Sequence, residues 1–288
     1  MKYAITGATG HFGQHAINTL LTKVNASDVI AIVRNISKAQ EFLPADVTIR
    51  QADYTNPEQL TAALNGVDKL LFISSQPGAA VPRLQQHLNV VNAAKEAGIS
   101  FIAYTSFPHA DKATSPLSAD HKATEAAIEQ TGIAHSFLRN NWYMENELGL
   151  ILAVNAGKPF IYSAGNGKVG WALERDYAEA AARVLTADNP KAVYEFAGPS
   201  HTFSELGAVV SEQAAKNAHV RSVSDTEYAD YLKTEDQLDE QSIATILAIQ
   251  DLIKAGELAE ETDDLATVLQ RPIASLGEMV KEVMREDR

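Results

Sequence analysis

Short apolar runs alternate with longer stretches of helical periodicity through the first half of the chain. This is the pattern of a parallel sheet covered by helices on both faces. Tyr3 to Thr6, Val29 to Val33, Val47 to Arg50, Lys69 to Ile73, Phe101 to Tyr104 and His135 to Leu138 read as strands. Asn56 and Pro57 supply an N-cap and a first helical residue, and Gly66 closes that segment. From Val81 to Ala97, Leu84, Leu88 and Val91 form one apolar stripe, with Gly98 as the stop. The fold class predicted is α/β, a doubly wound parallel sheet (Rossmann) over residues 1–142.

Past Trp142 the rhythm loosens. Pro159, Gly165, Gly167 and Gly170 punctuate short apolar pieces, and helical patterns follow at Asp176 to Leu185, Phe203 to Lys216 and Ser242 to Lys254. Val193 to Phe196 and Val220 to Val223 are further strand candidates. Residues 143–288 are expected to form a smaller C-terminal α/β lobe that closes over the strand ends and binds substrate. Its boundary is soft, because such chains cross between lobes more than once.

The first strand runs into Thr6-Gly7-Ala8-Thr9-Gly10-His11-Phe12-Gly13, whose glycine spacing is G-x-x-G-x-x-G. A strand reversing into a helix beside a pyrophosphate needs bare backbone at such positions, and the N–H groups at the helix start favour an anion. A flexible turn is the bland alternative. An NAD-binding unit places an acidic residue about 20 residues further on, to accept from the ribose hydroxyls. Here Arg34 follows the second strand instead. A guanidinium pairs with a 2′-phosphate and stacks on adenine, so NADP(H) is expected; Lys38 adds charge, and an ordinary solvated arginine is the competing reading.

Composition narrows the class. Among 288 residues, 24 Lys and Arg face 37 Asp and Glu, a net charge of −13. Such a field repels polyanions, and no basic patch offsets it, so no nucleic-acid partner is expected. The absence of cysteine removes disulfides, thiolate nucleophiles and Cys-based metal sites. His11 and His15 share a helical face but lack the intervening Glu of a zincin motif, so no metal is expected. With no leader-like N-terminus and no long apolar stretch, the expectation is a cytoplasmic protein without membrane insertion.

Several segments together resemble the NmrA-like branch of the atypical short-chain dehydrogenase/reductases, and within it the NAD(P)H:quinone oxidoreductase type 2 family. They include Ile5 to Gly10, Ala31-Ile32-Val33-Arg34-Asn35, Gln51-Ala52-Asp53-Tyr54, Ile73-Ser74-Ser75, Ile102-Ala103-Tyr104-Thr105-Ser106, Leu138-Arg139-Asn140, Trp142-Tyr143, Glu145-Asn146 and Arg271-Pro272. The resemblance implies that Gly7 to Phe12 hold the pyrophosphate and Arg34 the 2′-phosphate. It further implies that Asp53 addresses the adenine amino group, although a turn or capping Asp is nearly as good a reading. Ser74 and Ser75 would pass the nicotinamide ribose, and Thr105 and Ser106 join the cofactor candidates.

Carbonyl-reducing short-chain dehydrogenases use Tyr-x-x-x-Lys, and none of the nine tyrosines has Lys four residues later. The corresponding region is His121-Lys122-Ala123-Thr124-Glu125, where His121 and Glu125 share a helical face. His121 is thus a candidate proton donor, with a surface hydrogen-bonded pair as the alternative. Quinone reduction needs no strong general acid, because it restores aromaticity, and nothing suggests a flavin. Direct hydride transfer from NADPH to a small-molecule quinone is expected. Asn140 and Asn141 are candidate donors to a quinone oxygen, Trp142 and Tyr143 candidate stacking residues, and Trp171 a further wall. Tyr143 also carries a hydroxyl and is, with His121, a catalytic candidate. Alternatively, Trp142 is core and the asparagines cap the next helix. The competing function is a non-catalytic NADP(H) redox sensor that regulates a protein partner. The helix at Ser242 to Lys254 buries its stripe internally or in a homo-oligomer.

Overall fold

The computed structural model describes residues 1–76, 78, 80–214 and 218–286. The chain forms two compact units. Unit 1 comprises residues 1–140, 174–196 and 264–271, and unit 2 comprises 141–173, 197–263 and 272–288. After the boundary expected near residue 142, the chain therefore returns to unit 1 twice.

Unit 1 is built on seven parallel strands. In chain order they are β1 (Tyr3–Ile5), β2 (Val29–Val33), β3 (Thr48–Gln51), β4 (Lys69–Phe72), β5 (Phe101–Ser106), β6 (Ala134–Asn140) and β9 (Val193–Phe196). The spatial order is β3-β2-β1-β4-β5-β6-β9, with Tyr3 opposite both Val29 and Lys69. β9, read from sequence as belonging to the second lobe, instead extends this sheet in parallel, with Phe137 opposite Val193. That pairing also lengthens β6 beyond its apolar run, since Asn140 and Phe196 form its last pair.

Helices α1 (His11–Leu21), α2 (Ile36–Phe42), α3 (Pro57–Leu64), α4 (Arg83–Glu96), α5 (Pro116–Thr131), α7 (Glu174–Thr186) and α11 (Asp264–Leu269) belong to the same unit. Asn56 caps α3 by accepting the Gln59 N–H at 3.0 Å, with Pro57 as its first residue. Helix α7 buries Tyr177, Ala178, Ala181, Ala182 and Leu185, and its small side chains allow a close approach to the sheet. One buried cluster gathers Leu70, Phe72, Ile102, Tyr104 and Phe137 with residues of α3 and α4. Each large apolar side chain so buried contributes about 1.5–3 kcal/mol.

Unit 2 contains α6 (Leu148–Asn155), β7 (Phe160–Tyr162), β8 (Lys168–Val169), β10 (His201–Thr202), α8 (Phe203–Gln213), β11 (Val220–Ser222), α9 (Asp225–Thr234), α10 (Glu240–Lys254) and α12 (Leu276–Glu286). β7 pairs in parallel with β11, and β8 antiparallel with β10. A reciprocal capping box between Thr202 and Glu205 starts α8. The helical reading to Lys216 ends on a residue outside the described ones. Among the described residues no helix is long and apolar enough to cross a membrane.

Candidate functional site

Strand order reverses between β1 and β4, which opens a crevice beyond their carboxyl ends. β1 feeds the glycine turn into it. Gly7 sits at φ +60°, a left-handed conformation that disfavours a side chain. Its carbonyl accepts the Gly10 N–H at 3.0 Å. A Cβ at Gly13 would lie 2.4 Å from that carbonyl oxygen and 2.7 Å from Ala8 Cα, so no other residue fits. Gly10 is the N-cap of α1 and supplies no side-chain cap, leaving the first helical N–H groups available to an anion. The Thr6 hydroxyl accepts the Ile73 N–H at 3.0 Å, which ties the turn to the end of β4.

Around this turn, Ala8 and Phe12 are buried, Thr9 half-buried and His11 exposed. The Phe12 side chain therefore belongs to the core, and only its backbone is available to a ligand. Arg34, at the end of β2, is exposed, as is Lys38. Asp53 Oδ1 accepts from the Thr55 backbone N–H at 2.8 Å and hydroxyl at 2.7 Å. These bonds, aided by the Arg34 charge, hold its carboxyl below the usual carboxylate range. The turn role read for Asp53 is thus present, and Oδ2 remains for a ligand.

The segment after β4 is held by a buried polar network. Ser74 N–H donates to Thr105 Oγ1 at 2.9 Å, and Thr105 donates to Ser74 Oγ at 3.3 Å. Ser75 N–H donates to Nε2 of His87 at 3.0 Å. Nε2 therefore carries a lone pair, and Nδ1–H faces Thr124 Oγ1 at 2.9 Å, whose own proton goes to the Asp120 carbonyl. Burial, then the Arg83 charge, push the His87 pKa down to about 3. Arg83 Nε donates to the Ser75 carbonyl at 2.6 Å.

This network corrects the role read for His121. Arg83 donates to its Nε2 at 3.0 Å, and its Nδ1 meets the Tyr104 hydroxyl at 2.9 Å. Burial first, then the charge of Arg83, place its pKa well below the ordinary histidine range. A neutral, buried imidazole with its outer nitrogen occupied is a poor acid. Nor does it pair with Glu125, which accepts from Ser106 at 2.5 Å and from Arg139 at 3.0 and 2.7 Å. Ser106 thereby turns its hydroxyl to Glu125.

The residues expected to meet an acceptor have unlike surroundings. Asn140 is buried at the end of β6. In unit 2, Asn141 donates to the Leu258 carbonyl at 3.1 Å and accepts the Trp142 N–H at 2.8 Å. Its amide is engaged in tying its own segment to the one that follows α10. Tyr143 is half-buried and forms an isolated parallel bridge with Ala172. Trp171 is fully buried in a T-shaped contact with Phe203, so it is core rather than wall. Trp142 alone of this set lines the unit 2 cavity of about 610 Å³.

That cavity is apolar, with Phe203, Tyr228, Ile246 and Ile249 among its walls. Glu147 and Gln250 are its buried polar members. Glu147 Oε1 accepts from Nε1 of Trp142 at 3.1 Å and of Trp171 at 3.3 Å. Burial nevertheless pushes its pKa up to about 7. Neither residue stands out in the sequence. Glu147 is one of three acidic or amide neighbours on a short turn, and Gln250 lies on a helix that reads as plainly amphipathic.

Comparison with known proteins agrees with the crevice. The family described as NAD(P)H-binding matches residues 7–187. The chain is 42% identical to Quinone oxidoreductase 2 of Escherichia coli (strain K12) over 284 residues, covering 97% of this chain and 98% of that protein. The structure of the Escherichia coli NADPH-dependent quinone oxidoreductase complexed with NADPH superposes with a TM-score of 0.91 at 39% identity, covering 98% and 99% of the two chains. The Citrobacter sp. triphenylmethane reductase complexed with NADP(H) gives a TM-score of 0.91 at 36% identity, covering 98% and 100%. With the glycine turn, the strand order and these full-length likenesses in agreement, the chain belongs to the NAD(P)H-binding family, alongside Quinone oxidoreductase 2.

Proposed function

We propose that this chain is a cytoplasmic quinone reductase that uses NADPH directly, without flavin or metal. The observation that carries the reading is the glycine turn at the strand-order reversal, closed to any side chain at Gly13, in a chain 42% identical to a quinone oxidoreductase. When bound, NADPH supplies a hydride, and the protein supplies binding and orientation.

The backbone N–H groups from Gly7 to Gly13 would hold the pyrophosphate, and Arg34 would pair with the 2′-phosphate. Asp53 Oδ2 is left for the adenine amino group. The backbone of Ser74 and Ser75 would pass the nicotinamide ribose, kept in place by Thr105, His87 and Arg83. The neutral His121 favours an acceptor that needs little acid catalysis, which a quinone is. A net charge of −13 supports a small-molecule partner over nucleic acid.

The test is the near-ultraviolet absorbance of NADPH with the protein and a simple benzoquinone or naphthoquinone. Steady, protein-dependent loss is expected. Tight NADPH binding with no loss for any quinone overturns the reading and favours a redox sensor.

A further inference from the structure

We infer that the unit 2 cavity recognises a planar aromatic carbonyl compound through two fixed hydrogen-bond donors, the amide N–H of Gln250 and the carboxyl O–H of protonated Glu147. This rests on the proposed function insofar as a quinone is the ligand of that class.

Gln250, on α10, is only 4% exposed. Its Oε1 accepts from the backbone N–H groups of Ser163 at 2.9 Å and Ala164 at 2.8 Å. Two N–H donors can meet only the carbonyl oxygen, so the amide cannot be flipped. Nε2 is thereby fixed as a donor, and no acceptor among the described residues engages it, although the side chain lines the cavity. A buried amide with unused N–H groups is costly unless a ligand or water accepts from them.

Glu147 is fixed by the same logic. Both indoles can only donate, and both donate to Oε1. Oε1 must keep its lone pairs, so a proton on this carboxyl resides on Oε2. No described residue donates to Oε2. The cavity thus holds two immobile donors between the aromatic walls Trp142, Phe203 and Tyr228, and its volume of about 610 Å³ suits a ligand of two or three rings.

Few other charges address Glu147. Lys158 and Asp236 on the cavity pair with each other at 2.6 Å, and Tyr228 and Tyr231 are its remaining titratable members. On α8, Glu205 is held by Thr202, while on α12 Glu278 is held by Ser275. Glu212, Lys281 and Arg285 line a separate surface hollow, and α12 buries Leu276, Met279, Val280 and Val283.

The test uses the full chain with NADP⁺ and no reductant. Binding of 1,4-naphthoquinone is read by quenching of tryptophan fluorescence, with naphthalene as the probe lacking carbonyls. Wild-type affinity for the quinone should fall about tenfold from about pH 6 to about pH 9, the order expected for one hydrogen bond lost, while naphthalene binding stays level. Glu147→Gln keeps an acceptor for the indoles and a permanent donor beside it, so it should retain the low-pH affinity throughout. Gln250→Glu keeps the acceptor for Ser163 and Ala164, and at about pH 9, where the new carboxyl is ionised and holds no donor, it should bind about tenfold more weakly than the wild type at the same pH. NADP⁺ affinity should be unchanged in both.

The inference is overturned if quinone and naphthalene show the same pH response in the wild type, a comparison that needs no variant to fold. It is equally overturned if Gln250→Glu binds the quinone at about pH 9 as the wild type does. Turnover of NADPH with insensitive binding sinks this inference alone. Donor-dependent binding without turnover sinks the proposed function alone.

Discussion

Nη2 of Arg83 stands 3.0 Å from Nε2 of His121, and because a guanidinium can only donate, the imidazole must accept. His121 is therefore held neutral. The substitution His121→Ala should leave kcat for quinone reduction within about threefold, whereas loss of a true general acid costs roughly 100-fold or more. The pH–rate profile should lack a histidine limb. A collapse of kcat with NADPH binding intact would refute the structural role assigned to the residue.

Arg34 is exposed just after β2, and its charge acts on Asp53. Replacing it by Ala should raise KM for NADPH by at least about tenfold, as expected when a charge-assisted phosphate contact is lost. KM for NADH, which has no 2′-phosphate, should change little. Steady-state kinetics with both donors decide the matter, and equal losses would remove the 2′-phosphate role.

Much of unit 1 was legible because each strand is a short apolar run bounded by turn residues, and because the turn needs a left-handed residue at Gly7 and bare backbone at Gly13. β9 was legible as a strand but not as part of this sheet, since nothing local in Val193 to Phe196 states which edge it joins. The site was harder. Helical spacing put His121 and Glu125 on one face, yet Arg83 and Arg139 arrive from elsewhere in the chain and claim them separately. Likewise, Glu147 and Gln250 meet one cavity from distant segments, a juxtaposition that periodicity does not encode.

Burial of Glu147 gives a definite pH dependence of stability. Its pKa rises from the ordinary 4.5 to about 7 on folding. At low pH both states are protonated, and its contribution is fully present. As pH rises from about 4.5, only the unfolded chain ionises, so stability declines until the folded carboxyl also ionises near pH 7. At 1.36 kcal/mol per pKa unit, the loss is on the order of 3 kcal/mol. Glu147→Gln should abolish this component, so its urea midpoint should gain on the wild type between about pH 5 and pH 8. Parallel midpoints at both pH values would show that Glu147 ionises freely in the folded state.

Arg139 is the hub of a carboxylate cage. Its guanidinium bonds Glu125 twice and also reaches Glu195 at 2.9 Å and Asp111 at 2.5 Å. Both Arg139 and Glu125 are buried, so removing the cation strands a carboxylate away from water. Arg139→Met should therefore destabilise the fold by about 3–5 kcal/mol, the cost of breaking a buried pair. Adding Glu125→Leu should restore a large part of that loss, because the stranded charge disappears with it. Chemical denaturation of the single and double variants separates the two contributions. If Arg139→Met is as stable as the wild type, the carboxylate cage is ornamental, and the segment Leu138-Arg139-Asn140 must owe its presence to the ligand rather than to the fold.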